Sequence, residues 1–324
     1  MKKIILLMLV FLLTGCSSYT ELNDLSIVNT LGIDYSNNKY NISLSVIEGN
    51  ISDKSITYYK ASASSLDEAI KNIYLTSHKK LYLSHIDLLI LTDNSINYKL
   101  KEILDNFLKN NEYRNNFQVV LMNSNDMNTY FENNIASDEI NKLINTNNLE
   151  TGITSKKELE TLLKEILIDN NSYLPTIIFN NDKLTLDGYT LIKNSKVYKR
   201  LDTEESIYLN ILTNNINRSL IDGINIYDSN TSIKINKNKI TFNINMTISD
   251  DDIDKINNLE NNLLLFLEKN KEDNYDILKL EDKIKKNYYS YYKNNNNILD
   301  KIEFKINIKT KIQENYIRGG LNEE

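Results

Sequence analysis

One residue in this chain is placed for covalent chemistry. Cys16 is the only cysteine among the 324 residues. It follows Leu13, Thr14 and Gly15 at the end of an apolar run that begins at Ile4, with Lys2 and Lys3 in front of it. A positive start, a short apolar stretch and small residues at a junction form the layout of a secretory signal. The run is too short to span a bilayer, which takes roughly 20 apolar residues. At a junction of this kind the cysteine thiolate accepts a diacylglyceryl group, and cleavage leaves it as the first mature residue. Residues 1–15 are therefore expected to be a signal peptide and Cys16 the lipidation site. A single acyl chain anchors only marginally, at about 0.8 kcal/mol per buried CH₂, whereas two hold a domain on a membrane.

The other chemistry-bearing residue types do not converge in the sequence. His78 and His85 fall at a helix end and just before a strand, with no cysteine or third histidine to complete a metal site, which needs three or four ligands. Eight glycines are scattered without a phosphate-cradling pattern, and no G-x-S-x-G elbow occurs. The acidic pairs Asp251 with Asp252 and Glu204 with Glu205 stand at expected helix starts, where negative charge complements the helix dipole. Among 21 tyrosines and no tryptophan, the cluster Tyr288, Tyr289, Tyr291 and Tyr292 is a candidate contact patch, because amphipathic aromatics favour interfaces. No catalytic, cofactor-binding or metal-binding residue is expected, and the chain does not read as an enzyme.

Formal net charge is −6. Residues 16–324, which lack Lys2 and Lys3, hold 36 basic against 44 acidic side chains, or −8. On that average, neither nucleic acid nor an anionic headgroup layer is an expected electrostatic partner. Hydrophobic residues at 41% and charged residues at 25% suit a globular chain with room for two domains. With its one thiol claimed by lipid the chain has no internal disulfide, so packing alone must hold it.

Two strands are expected over Ile27–Asp34 and Tyr40–Val46, joined by the polar turn Ser36–Lys39. A helix follows, with Leu66, Ala69, Ile70, Ile73 and Tyr74 on one face behind a capping box of Ser65 and Glu68. Strand Ile86–Leu91, a helix on Leu100 to Leu108 and strand Phe117–Met122 then imply a sheet covered by helices. Asn123–Thr154 reads as a polar joint with a short helix near Ile140. Ser155 and Glu158 read as a second capping box before Leu159 to Leu167, and Pro175 closes the helical possibilities. Three short strands between Thr176 and Leu201 form a small meander. After a helix at Thr203–Leu212 and an irregular stretch over Asn214–Asn230, Ile233 to Ile248 alternates as a hairpin. Two long helices and a closing strand over Ile302–Ile312 complete the chain. The fold class expected is α/β (α+β): consecutive mixed domains with an N-terminal helix-covered sheet, a small middle meander and a C-terminal antiparallel sheet with two long helices. The expected division is 1–15 signal, 16–202 and 203–324, with a subdivision near 123–154.

The order of motifs resembles a known family. Glu21-Leu22-Asn23-Asp24-Leu25-Ser26-Ile27-Val28 and Leu31-Gly32-Ile33-Asp34, soon after the cysteine, are similar to the mature start of the Ger(x)C proteins, the lipoprotein C subunits of spore germinant receptors. Ser65-Leu66-Asp67-Glu68-Ala69-Ile70, Leu81-Tyr82-Leu83-Ser84-His85-Ile86 and Ile103-Leu104-Asp105-Asn106-Phe107-Leu108 resemble successive family motifs. Tyr173-Leu174-Pro175 and Leu186-Asp187-Gly188-Tyr189 match its middle region, and the two-helix segment closed by Ile302 to Lys309 is similar to its C-terminal domain. The chain departs from the family in having Ser17-Ser18-Tyr19 where a tryptophan often follows the cysteine, and Thr20 where a basic residue stands. The resemblance implies consecutive α/β domains and a non-catalytic, palmitate-bearing lipoprotein without a cofactor. It implies anchoring at Cys16 to the outer face of the spore inner membrane, beside the A and B membrane subunits of a germinant receptor, in a complex that senses small nutrients and triggers germination. Nucleic acid is not an expected partner. The alternatives in other classes are a substrate-binding lipoprotein of an importer, which would want two similar doubly wound lobes, and a cell-wall hydrolase.

Overall fold

The computed structural model describes residues 25–48, 55–249 and 252–313. Its first sheet starts with the antiparallel hairpin β1 (Leu25–Ser36) and β2 (Lys39–Glu48), whose turn puts Asn37 and Asn38 at positive φ. Asparagine tolerates that conformation better than other residues with a Cβ. Strand β3 (Ser55–Ala63), absent from the sequence reading, extends the hairpin outward along β2. Helix α1 (Leu66–Tyr74) then begins at Ser65, whose hydroxyl accepts from the Glu68 amide. Only half of the expected capping box forms, because the Glu68 carboxylate accepts from Ser64 instead.

The short strand β4 (Lys80–Tyr82) and β5 (Leu88–Thr92) both run parallel to β1, and β6 (Gln118–Met122) runs parallel to β5. All five residues of β5 and of β6 are buried, as a parallel sheet covered on both faces requires. Alternation divides them between two cores. Leu89, Leu91, Val119 and Leu121 face α1, α2 (Asp93–Lys109) and α5 (Leu159–Asp169). Leu88, Ile90, Val120 and Met122 face α3 (Ser124–Glu132) and α4 (Ser137–Glu150). The expected polar joint is thus two helices that bury Met127, Tyr130, Phe131, Ile140 and Ile144 under the sheet.

The expected capping box at Ser155 also does not form. Helix α5 starts later, with Glu158 at its N-cap and no side-chain cap, because both the amide and hydroxyl of Ser155 are taken by the Tyr189 hydroxyl. The meander of β7 (Ser172–Asn180), β8 (Lys183–Lys193) and β9 (Lys196–Arg200) is present, and one register pair, Leu121 with Thr176, continues it from β6. The sheet order is β3-β2-β1-β5-β6-β7-β8-β9, with β4 beside β1. Pro175 sits next to a register shift in β7, the place within a sheet that suits a residue without an amide proton.

Helix α6 (Thr203–Leu212) is buried on every face from Ser206 onward and leads to a second sheet, ordered β10-β11-β12-β13. Strands β10 (Ser219–Ile221) and β11 (Ile224–Asn236) replace most of the irregular stretch that the sequence implied, and β12 (Lys239–Ile248) pairs antiparallel with β11. Helix α7 (Ile253–Glu272) has the expected length, but the second long helix is two short ones, α8 (Leu280–Asn287) and α9 (Tyr289–Lys293), interrupted at Tyr288. Strand β13 (Glu303–Ile312) pairs with β12 in parallel, not antiparallel. The helices carry the chain back to the end where β12 began, which is the crossover geometry that parallel pairing needs. The core beneath this sheet also takes Tyr189 and Leu191 from β8.

Candidate functional site

Cys16, the one site residue expected from sequence, lies outside the described residues, as do the signal peptide, Glu21–Asp24 and Asp251. The remaining motif residues can be placed, and several of them tie elements of the first sheet together. Asp34, at the carboxyl end of β1, accepts from Thr92 Oγ1 at 2.6 Å and from Ser124 Oγ at 2.9 Å, tying the start of α2 and of α3 to the strand. Thr92 and Ser95 complete a reciprocal capping box on α2. Gly32 leaves room for the Phe131 ring and the Met127 sulfur, which a Cβ would meet at 2.5 and 2.9 Å. Asp67 of α1 accepts from Asn106 of α2 at 2.8 Å, so two of the motifs are joined side chain to side chain. Ser84 donates to the Glu112 carbonyl at 2.7 Å.

Between the two sheets, buried polar groups form a seam. The Tyr189 hydroxyl accepts from the Ser155 amide at 2.5 Å and donates to Asn210 Oδ1 at 2.9 Å, while Asn210 Nδ2 donates to the Gly152 carbonyl at 2.7 Å. Burial pushes the Tyr189 hydroxyl up to about 12, with the bonds to Ser155 and Asn210 opposing the rise. The Tyr275 hydroxyl, beyond α7, reaches the Ser172 carbonyl at 2.6 Å and the Ile192 carbonyl at 3.1 Å. Lys157 is buried against Glu165 at 2.5 Å with its ammonium 4.0 Å from the Tyr173 ring centre, and Glu165 also accepts from Ser172. Burial holds the Lys157 ammonium below the ordinary lysine range, although Glu165 pulls it upward. Lys279 bridges Glu165 and Asp169 from the C-terminal side. Sequence reasoning missed this seam; the signal in the chain is the pair Gly188-Tyr189, a flexible residue beside a large amphipathic one.

The two histidines remain apart in role. His78 is exposed in a bend, and His85 ends a 3-10 turn with its ring 5.2 Å from that of Tyr82. His85 borders a polar cleft of about 360 Å³ below the amino ends of β5 and β6, with Asp87, Arg114, Asn141, Asn145 and Lys156. Desolvation raises the Asp87 carboxyl and Asp138 adds to that, whereas His85 and Arg114 oppose it. Among the described residues no three His, Cys, Asp or Glu side chains are grouped as metal ligands. Glu205 is held low by the Lys199 and Lys269 ammoniums, at 2.6 and 3.3 Å, which outweigh the rise that burial alone would cause. Asp252 caps α7 by accepting from the Asp254 and Lys255 amides. Of the tyrosine cluster, Tyr288, Tyr291 and Tyr292 pack against the second core, and Tyr289 alone is 61% exposed. No helix among the described residues is long and apolar enough to cross a membrane.

Comparison with known proteins agrees with this arrangement. The family described as spore germination protein N-terminal domain matches residues 18–179, half of the chain. Spore germination protein KC of Bacillus subtilis (strain 168) is 22% identical over 211 residues, which cover 60% of this chain and 49% of that protein. The chain thus spans about half the length of the curated relative it matches. The crystal structure of the GerBC protein superposes with a TM-score of 0.53 at 18% identity, covering 88% of this chain and 97% of that one, a likeness of fold. With several motif residues tying the fold together and residues 18–179 matched by the family model, the chain belongs to the Ger(x)C family, the spore germination proteins defined by that N-terminal domain.

Proposed function

We propose that this chain is a non-catalytic lipoprotein subunit of a spore germinant receptor, needed for nutrient-triggered germination. Diacylglyceryl on Cys16 holds it at the outer face of the spore inner membrane, beside the A and B membrane subunits. The single observation carrying this reading is the family match over residues 18–179. The cysteine junction supports the anchor. The use of motif residues as internal ties supports a scaffold role, since Asp34 and Tyr189 spend their polar atoms inside the fold and Asp67 ties α1 to α2 at the surface. The mature chain divides at 202/203, just before α6, into an N-terminal unit and a C-terminal one.

Cys16→Ala tests the reading. The precursor stays uncleaved, and detergent extracts of spore membranes no longer yield polytopic proteins that co-purify with the native chain. Normal maturation of the variant, with those proteins still bound, refutes it.

A further inference from the structure

The outward face of the second sheet is charged against the trend of the molecule. Strands β11, β12 and β13 turn Ile240, Phe242, Ile244 and Ile306 inward. Their alternate positions form three outward rows without an aliphatic side chain, and Tyr227, 39% exposed, stands in the β11 bulge beside Asp228. Read across the register, Lys234 lies beside Thr241 and Lys305, and Ser232 beside Asn243 and Asn307. Asn230 lies beside Asn245 and Lys309, and Asp228 beside Thr247 and Lys311. At the other end Lys239 sits between Asn236 and Glu303, and pairs with Glu303 at 3.7 Å. The face therefore carries five lysines against two carboxylates, and the carboxylates stand at opposite corners. The chain as a whole has a net charge of −6. Lys234, Lys305, Lys309 and Lys311 are exposed and form no ion pair among the described residues.

Lysines on a sheet rim discourage edge-to-edge pairing. That accounts for some of them, but not for a face where five lysines meet two carboxylates in a chain that is acidic overall. The side-chain types narrow the partner. Single-stranded nucleic acid is held on aromatic platforms, and the centres of protein interfaces are rich in aromatics and arginine and poor in lysine. This face has no arginine, and its one aromatic, Tyr227, stands in the bulge beside Asp228, which gives no row of stacking platforms. Flexible ammonium groups on a flat polar surface suit a layer of anionic headgroups, where each basic residue contributes through the surface potential without inserting. Lys305 and Lys311 are six residues apart on one strand, roughly 20 Å, so the contacts spread over several lipids.

We propose that the outward face of β11, β12 and β13 rests on an anionic lipid surface, with Lys234, Lys305, Lys309 and Lys311 as its contacts. This rests on the membrane-anchored reading above and adds an orientation to it. If Cys16 is acylated, the eight residues 17–24 before β1 hold the folded part within roughly 30 Å of the leaflet.

The full acylated chain, reconstituted on vesicles of phosphatidylcholine alone or mixed with phosphatidylglycerol, is labelled with an amine-reactive reagent and each lysine read by peptide mass spectrometry. Lys305, Lys309 and Lys311 should label at least about fivefold more slowly on the anionic vesicles, the factor expected for one ammonium held at such a surface. The difference should vanish at high salt. Lys142 and Lys164, at 77% and 67% side-chain exposure, should label alike on both. In the double variant Lys305→Glu, Lys309→Glu, the slower labelling of Lys311 and Lys234 should disappear. Equal labelling of the native face on both vesicle types overturns the proposal, as does slowing by a soluble polyanion but not by phosphatidylglycerol. Failure of the anchor is read separately, as chain that does not sediment with neutral vesicles. For such chain, slowed labelling with anionic vesicles still supports the face, and its absence overturns it.

Discussion

Gly188 has φ +67°, and a Cβ there would meet the Ser206 hydroxyl and come within 2.8 Å of the Leu201 carbonyl. The left-handed backbone alone costs about 1–2 kcal/mol for a residue with a Cβ, and overpacking adds about 1–3 kcal/mol. Gly188→Ala should therefore lower unfolding stability by about 2–5 kcal/mol, visible as a lower urea midpoint with an unchanged slope. A shift under 0.5 kcal/mol would mean that α6 moves aside freely. The residue types in Leu186-Asp187-Gly188-Tyr189 were legible as a motif, but their reason was not: Gly188 admits the start of α6, and Tyr189 reaches Asn210 across the gap so created. Only the partner's position reveals either role.

At the scale of elements, legibility followed the contrast of the pattern. Strands β5, β6 and β12 and helices α1, α2 and α7 stand out because apolar residues recur at one period without interruption. Helix α3 was hidden, and α4 was expected only as a short helix near Ile140, because asparagine, a weak helix former, fills the positions between a few buried anchors such as Met127, Tyr130, Ile140 and Ile144. The first half of β11 was hidden because the polar run Asp228 to Ser232 separates Ile224 and Ile226 from the isoleucines Ile233 and Ile235, whose alternation was legible. Its partner β12, rather than its own composition, makes it a strand. Helix α8 carries a prediction of its own. Asp276, just before it, accepts from the Leu280 and Glu281 amides, each at 2.8 Å. Desolvation nevertheless leaves its carboxyl above the ordinary range, since those amides and Lys283 only partly offset it. A carboxyl whose folded value exceeds its unfolded one binds its proton more tightly in the folded chain. Its contribution thus improves as pH falls through the raised value and is complete below the ordinary value of about 3.9. The stability of the native chain relative to Asp276→Asn should rise on acidification from pH of about 7 toward about 4. Parallel pH curves for the two proteins would contradict this.

On the scale of the whole molecule, the two sheets are joined by the polar seam and by a shared core, since Tyr189 and Leu191 of β8 pack with the helices of the second sheet. Tyr275→Phe keeps the ring but strips a bond from the Ser172 and Ile192 carbonyls, at a cost of about 1–3 kcal/mol for buried groups left unpaired. Amide exchange should quicken in β7 and β8 near those residues, while the β1–β2 hairpin exchanges as before in excess of the common loss of stability. Uniform acceleration across both sheets would show that the seam is not a separable joint. Net charge was the least informative whole-chain number, because an average over 324 residues conceals a lysine-rich surface confined to three strands.

The parallel pairing of β12 with β13 also sets an order of events as the polypeptide is made. From Ile248 to Glu303 the chain must emerge and coil into its crossover before the last ladder can zip. Until then one side of β12 offers a ten-residue row of vacant amide and carbonyl groups to any neighbour. A polypeptide cut short before Glu303 never closes that row, so the danger in late truncation is self-association, even though most of the interior would already be in place.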